Sequence, residues 1–103
     1  MIVASVIYPK FADKRFDLDY YVNVHMPMVR TLWKDMGMGN ARVLHGMADV
    51  GGGEPTVEVM CLVEFESVEA LDRALKAHGA QILGDVPNFT DIEPTLQVNA
   101  VAL

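Results

Sequence analysis

The sequence predicts an α+β fold in which a four-stranded antiparallel sheet carries two helices on one face. Three observations favour this fold. Runs rich in β-branched residues alternate with segments of helical periodicity in the order β-α-β-β-α-β. The 103 residues show no composition break and no internal repeat, so a single domain spanning residues 1–103 is expected. Hydrophobic residues make up 51% of the chain, which calls for a substantial core or an apolar subunit interface.

The first strand is predicted at residues 2–8, IVASVIY, because β-branched residues dominate this run and Pro9 follows it. Such a run is typical of a strand buried on both faces. Residues 9–15 are then predicted to form a loop.

The stretch DLDYYVNVHMPMVRTLWKDMG, residues 17–37, has the periodicity of one amphipathic helix. Asp17 is a good N-cap, and glycines at the far end supply a stop. The apolar stripe also contains a histidine, His25, and Pro27 follows it by two residues. Because a proline inside a helix removes a backbone hydrogen bond and collides with the carbonyl four residues earlier, a kink or restart is expected near residues 23–26.

Residues 41–48 and 56–66 are predicted to pair as a hairpin across the glycine-rich link DVGGGEP. The link lacks the lysine and the serine or threonine of a phosphate-binding loop, so no nucleotide site is implied. In the second of these strands one side is wholly apolar and the other is mixed.

A second helix is predicted from a cap at Ser67 to Gly79, because the segment VEALDRALKAHG lines apolar side chains along one side. Residues 80–94 are expected to form a loop with about one helical turn, and residues 95–103 the last strand. Because both helices cover the same face of the sheet, apolar residues on its other face call for a partner. A homodimer packed sheet against sheet is therefore expected.

Charge and composition exclude several classes of function. Eight basic and fourteen acidic residues give a net charge of −6, which argues against nucleic acid and anionic membrane surfaces as partners. The single Cys61 cannot form an intrachain disulfide, and three scattered histidines do not resemble a zinc site, so no metal is expected. Without a basic leader or a run of about 18 apolar residues, a cytoplasmic protein is expected.

The candidate site residues of the first helix centre on His25. Its titration range makes it the best acid or base candidate, although a core histidine with a satisfied hydrogen bond is an equally good explanation. Tyr21 lies four residues earlier on the same face and is predicted to bond to a ligand or to His25, unless it is core filler. Tyr20 points more sideways. Trp33 and several methionines suggest a soft apolar lining, or equally a packed core.

Two further candidates lie on predicted strands. His45 and Asn99 are polar residues on otherwise apolar strand faces, where they would orient a small ligand or simply form hydrogen bonds at a strand end. The carboxylates are interpreted as a solvated acidic surface, because none falls on the inward stripe of the first helix.

Two segments resemble the EthD family, which is named after a gene product associated with ethyl tert-butyl ether degradation. Residues 16–29, FDLDYYVNVHMPMV, resemble its Y-Y-x-x-x-H-x-P-L-V signature, with Met28 where leucine is usual. Residues 85–94, DVPNFTDIEP, resemble its second characteristic segment. The matching positions are Tyr20, Tyr21, His25 and Pro27 in the first segment and Asn88, Phe89 and Thr90 in the second.

The resemblance implies a dimeric α+β barrel of ferredoxin-like βαββαβ subunits. It implies less about chemistry, because EthD-like proteins are often labelled reductases while similar barrels include cofactor-free monooxygenases, muconolactone-type isomerases, and decarboxylases or dehydratases.

The first functional hypothesis is therefore a small cofactor-independent enzyme, possessing no bound cofactor, that acts on a compact apolar carbonyl or aromatic compound. Its pocket would lie between the kinked helix and the sheet, with His25 as general acid or base and Tyr21 orienting it. The residues predicted to bind substrate are Tyr20, Trp33, His45, Asn88, Phe89 and Asn99, with the Phe89 segment closing the mouth. The alternative is a non-catalytic binding or accessory protein for a hydrophobic small molecule or a partner oxygenase, in which His25 is only structural.

Overall fold

The computed structural model describes all residues, 1–103, and confirms the βαββαβ order. Its helical segments correspond to the two predicted helices, although the first ends at Trp33 instead of residue 37, and to the single turn predicted in the loop after the second. The strands are β1 (Ile2–Pro9), β2 (Met38–His45), β3 (Val57–Phe65) and β4 (Thr95–Ala100). The first helix, α1, comprises an α turn (Leu18–Tyr20), a π-helical turn (Tyr21–His25) and an α-helix (Met26–Trp33); the second, α2, is Val68–Gly84, and a 3-10 turn follows at Val86–Asn88.

All three strand pairings are antiparallel, in the spatial order β2-β3-β1-β4. Val6 of β1 lies between Cys61 of β3 and Leu96 of β4. Because residues directly opposite each other in an antiparallel pair share a face, these side chains all point to the helices. Central β1 thus has one face covered by helices in the protomer. On its other face Val3 and Ile7 stay half-buried, so burial on both faces is not reached within one chain.

The predicted apolar side of β3 forms the centre of the core. Val59, Cys61, Val63 and Phe65 are all less than 5% exposed and face the helices. Burying four such side chains stabilises the fold by about 1.5–3 kcal/mol each. The alternation along β3 therefore fixes which face of the sheet is covered.

The break in α1 occurs where the proline predicts it. The N–H of Met26 donates to the carbonyl of Tyr21, five residues earlier, which is the π-helical spacing. Pro27 then occupies the first turn of the following α segment, where its missing N–H is tolerated. Asp17 caps the start of the helix by accepting a hydrogen bond from the Tyr20 N–H at 3.0 Å, as predicted.

The predicted end of α2 at Gly79 is wrong, because the helix continues for five residues to Gly84. Gly79 is itself buried, and Ile82 extends the apolar stripe one turn further with 9% exposure. Burial of this extra turn outweighs the cost of about 1 kcal/mol for a glycine in a helix interior. The predicted loop therefore begins at Asp85, and its single helical turn follows directly.

Two strand boundaries also differ from the sequence prediction. β2 begins at Met38 instead of residue 41 and ends at His45, with an irregular register between Met38 and Ala41. β4 stops at Ala100, and the last three residues are exposed. No helix in the protein is long and apolar enough to cross a membrane.

Candidate active site

The π-helical turn of α1 turns His25 into the protein. The ring is only 4% exposed, while Val22 and Val24 on the same turn stay about half exposed, at 46% and 49%. Pi-helical turns are frequent at functional sites because the wider turn redirects side chains that an α-helix would align. The irregular backbone predicted beside His25 is thus present, and it places the imidazole under the helix.

One ring nitrogen of His25 binds a carboxylate from a distant part of the chain. Its Nδ1 lies 2.8 Å from Oδ2 of Asp85, which follows the end of α2. Because an ionised carboxylate can only accept hydrogen bonds, this contact places the proton on Nδ1. The neutral ring then has its acceptor lone pair on Nε2.

Two other side chains hold Asp85. The hydroxyl of Tyr20 and the side-chain amide of Asn88 each donate to Oδ1 at 2.8 Å. Burial by itself raises the pKa of Asp85, but hydrogen bonds from Asn88, His25 and Tyr20 together bring that pKa below its usual value. The hydrogen bond to Asp85, together with burial, raises the pKa of the Tyr20 hydroxyl. The carboxyl is therefore ionised at neutral pH and fixed from both oxygens.

Asp85 is the site residue that the sequence interpretation missed, since the carboxylates were assigned to a solvated surface. The first helix indeed carries no inward carboxylate, but the partner of His25 lies 60 residues further along the chain. The sequence signal that could have identified Asp85 was its position at the start of the segment DVPNFTDIEP, three residues before Asn88.

The segment that carries Asp85 is tied to the start of α1. The backbone N–H of Asp17 donates to the carbonyl of Phe89 at 2.7 Å, and the Thr90 hydroxyl donates to the carbonyl of Arg15 at 2.6 Å. The Arg15 guanidinium in turn donates to the carbonyl of Pro87 at 2.7 Å. These bonds hold the two EthD-like segments side by side and keep the His25–Asp85 distance fixed.

Aromatic rings pack around the histidine. The ring of Tyr21 stacks on His25 with 5.2 Å between centroids, and that of Phe89 tilts against it at 4.7 Å. Phe89 is wholly buried and also contacts Tyr8, Phe16 and Tyr20. It supports the histidine from within the core and does not lie at a mouth. Burial raises the pKa of the Tyr21 hydroxyl far above its ordinary value, so this phenol stays protonated.

A cavity lies between the helices and the sheet, and His25 is part of its wall. About 60 Å³ of it is open to the centre of a water-sized molecule, and it opens to the surface. Thirteen of its fifteen lining residues are hydrophobic, and the other two are His25 and Gly79. His25 is thus the only imidazole, carboxylate or cationic group on the wall.

The second ring nitrogen of His25 is not sealed inside the protein. Nε2 has no hydrogen-bond partner in the protein, and no fully buried side-chain nitrogen or oxygen is left without one. Nε2 must therefore reach space that a water-sized molecule can enter. The pocket predicted between the kinked helix and the sheet is thus present, and the imidazole lines it.

The cavity continues into a groove along the edge strand β4. Trp33, Leu75 and Leu96 line both spaces, and Val98 lies further along the groove. Leu96 and Val98 are about half exposed because the helices do not reach over β4. The indole N–H of Trp33 donates to the carbonyl of Ala74 at 3.0 Å, so this residue offers an apolar ring and no free donor.

The structure brings together Tyr20, Tyr21, His25, Asn88 and Phe89, and Trp33 lines the cavity together with Tyr21 and His25. Tyr20 and Asn88 contact Asp85, and neither lines the cavity. A direct role for these two in binding substrate stays a prediction.

The two strand candidates lie elsewhere. His45 ends β2 with its side chain 53% exposed and its Nε2 3.6 Å from Glu58. Asn99 donates to the Ser5 hydroxyl and the Val3 carbonyl, on the sheet face away from the helices. Neither lines the cavity, because Asn99 is on the other face and His45, although opposite Val59, stands at the end of the edge strand β2. No group of three or more His, Cys, Asp or Glu residues is arranged to hold a metal ion.

Comparisons with known proteins place this geometry in a family. No protein-family model and no curated sequence matches the chain. Among solved structures, an EthD-like protein from Ralstonia eutropha is 38% identical over 99% of this chain and 92% of its own, with a TM-score of 0.92.

Two more distant structures share the fold. An EthD family protein from Bacillus halodurans is 20% identical over 98% of both chains, with a TM-score of 0.64. SnoaB, a cofactor-independent oxygenase from Streptomyces nogalater, is 10% identical over 99% of this chain and 92% of its own, with a TM-score of 0.60. The fold is that of the dimeric α+β barrels, and the 38% identity over nearly the whole chain shows that this protein belongs to the EthD family.

Proposed function

We propose that this protein is a cofactor-independent enzyme that moves a proton on a compact, uncharged carbonyl or aromatic compound, with His25 as the catalytic acid and base. One observation carries the proposal. The Nδ1 of a buried imidazole is bound to an ionised carboxylate, its Nε2 has no partner in the protein, and the residue lines an apolar cavity. A histidine satisfied only for structural reasons has no need of a void at its second nitrogen.

The arrangement suits general base catalysis. Nε2 accepts a proton from an acidic C–H or phenolic O–H, and the electron pair left behind moves onto the carbonyl or the aromatic ring. The resulting imidazolium is stabilised by Asp85, which stays ionised and acts as a positioning residue. Return of the proton from Nε2 to another atom of the substrate yields an isomer and restores the neutral ring.

The wall of the cavity favours an uncharged substrate. Apart from His25 it carries no carboxylate, ammonium or guanidinium, so a charged substrate would lose its hydration without gaining a partner. An uncharged ring compound gains burial against residues such as Trp33 and Leu75. It can also present one weakly acidic group to His25.

A structural neighbour supports chemistry without a cofactor on this fold. SnoaB is described as a cofactor-independent oxygenase. Since it is only 10% identical to this chain, it supports the capacity of the fold and says nothing of the substrate.

We expect the enzyme to act as a homodimer packed through the sheet face that the helices leave open. That face carries five apolar side chains that are partly exposed in the protomer: Val3, Ile7, Leu44, Met60 and Leu62. An apolar face of this kind is typical of a subunit interface.

Size-exclusion chromatography with light scattering measures the mass of the protein in solution and so tests the dimer. Leu62→Arg should elute as a monomer, because the charge would be buried in the interface without a partner. Val50→Arg, in the fully exposed hairpin link, should elute as the wild type does. A wild-type protein that is monomeric at micromolar concentration contradicts the expectation.

The catalytic role is tested with 2-tetralone, an uncharged ketone with acidic C–H bonds, in deuterated buffer. The wild type should accelerate deuterium incorporation above the buffer rate, and His25→Ala should lose at least about 100-fold of that acceleration. His45→Ala is the matched control, since this exposed histidine lies outside the cavity.

The same experiment separates the alternative. If the wild type binds the ketone, shown by shifted NMR signals of the cavity methyl groups, but exchanges no protons, the protein is a binding or accessory protein. Equal exchange by the wild type and His25→Ala removes the catalytic role of His25.

A further inference from the structure

Gly79 occupies a position that is unfavourable for glycine. It lies inside α2, five residues before the end of the helix, and it is buried. Glycine in a helix interior lacks both the backbone preference and the packing that alanine would supply.

Neither of the two usual structural reasons for a glycine applies here. Its φ is not positive, since the only positive-φ glycines are Gly37 and Gly52. A Cβ built at position 79 would meet only Leu75, one turn earlier in the same helix, at 3.6 and 3.7 Å. These are ordinary contacts, and no atom of α1 or of the sheet comes within 4 Å. The backbone and the packing would both accept alanine.

The space in front of Gly79 belongs to the cavity, because Gly79 is one of its lining residues. We infer that Gly79 is a specificity-determining residue, whose missing side chain leaves room for the part of a substrate that lies against α2. This inference rests on the proposed function, since it gives the size of the substrate for the same site.

The position of Gly79 favours a flat compound of two fused rings over a single ring. A single ring bound at His25 would cover less of the wall of α2 than two fused rings. A second ring reaches toward α2, where Leu75 and Ile82 flank the open position. Apolar burial there adds to the affinity for the larger compound.

The test compares the binding of phenol and 1-naphthol, followed by NMR shifts of the cavity methyl groups. Gly79→Ala should weaken 1-naphthol relative to phenol by about tenfold, the usual effect of one methyl group in an apolar pocket. The same change should raise the Tm by about 3–8 °C, because alanine is the better helix former.

Gly84→Ala is the matched control. Gly84 closes the same helix, and a Cβ there meets nothing within 4 Å, but it does not line the cavity. It should leave the ratio of the two affinities unchanged.

Three results overturn the inference: an unchanged ratio in Gly79→Ala, an equal change in Gly84→Ala, or a wild type that binds neither compound in the cavity. Because binding is measured without turnover, a failed His25→Ala experiment leaves this result readable. The two proposals can therefore fail separately.

Discussion

Two histidines of this protein each face a carboxylate, and the difference between them shows what makes a reactive pair. His25 lies 2.8 Å from Asp85, and His45 lies 3.6 Å from Glu58. The two carboxylate side chains are equally covered, at 14% exposure each, but His25 is 4% exposed and His45 53%. The surroundings of the imidazole therefore distinguish the pairs, and the residue types do not.

The second difference is competition for the carboxylate. The Oε2 atom of Glu58 that faces His45 also lies 3.5 Å from the Lys10 ammonium. Asp85 instead accepts from neutral donors, Tyr20 and Asn88, so the only group that becomes a cation beside it is His25. A proton gained by His25 is thus stabilised by an undivided negative charge in a poorly hydrated place.

The largest effect is expected when the buried pair is broken. Asp85→Asn should reduce turnover by about 10²–10⁴-fold, because the amide donates to Nδ1 and moves the ring proton to Nε2. Nitrogen-15 NMR of the imidazole reports this change of tautomer directly and needs no substrate. Glu58→Gln is the matched control and should leave the His25 tautomer unchanged. The His25 proton staying on Nδ1 in Asp85→Asn would contradict the assigned role of Asp85.

A smaller effect is expected when one of the hydrogen bonds that hold Asp85 is removed. Tyr20→Phe removes one hydrogen bond to Oδ1 and should reduce turnover by about three- to tenfold, in line with about 1 kcal/mol for such a bond. It should also raise the pKa of Asp85 toward its usual value, measured by carbon-13 NMR of the carboxyl. An unchanged carboxyl titration would show that Tyr20 does not hold Asp85 in solution.

The buried pair should also appear in the pH dependence of stability. Folding lowers the pKa of Asp85, so its ionised form favours the folded protein. This contribution is complete above the unfolded-state pKa of about 3.9 and is lost as pH falls through the folded-state pKa. In urea unfolding, the stability difference between the wild type and Asp85→Asn should therefore shrink below about pH 4. A difference that stays constant from pH 6 to about pH 3 would exclude this linkage.

The smallest effect is expected at the exposed pair. His45→Ala should change the free energy of unfolding by less than about 0.5 kcal/mol, because exposed ion pairs contribute little and salt screens them. Thermal unfolding at low and high salt measures it. A loss of several kcal/mol would mean that burial is not what separates the two histidines.

The start of α1 and its break were predicted correctly because their signals lie close together in the chain, whereas the helix ends at Trp33, four residues before the predicted stop. The apolar stripe placed His25 inward, and Pro27 placed the irregular turn within a few residues of its true position. Helical periodicity and the missing N–H of proline both act over one or two turns. A single sequence is enough to detect them.

The prediction failed where a distant contact decides. Gly79 reads as a helix end, and only the packing of Ile82 against the core shows that α2 continues. His45 and Asn99 read as polar residues on apolar strand faces, and only the assembled sheet shows that Asn99 faces away from the helices and that His45 stands at the end of an edge strand. Both outcomes depend on which surfaces meet after the chain has folded.

The sequence by itself determined the order of the elements, the apolar side of β3 and the inward direction of His25. Each of these follows from side-chain periods of two or of about 3.6 residues, which neighbouring residues impose on one another. The tertiary structure alone decided that Asp85, 60 residues from His25, binds its Nδ1 and that an apolar cavity is left beside the imidazole. Pairing across such a distance is selected by the burial free energy of the whole chain, and no local pattern records it.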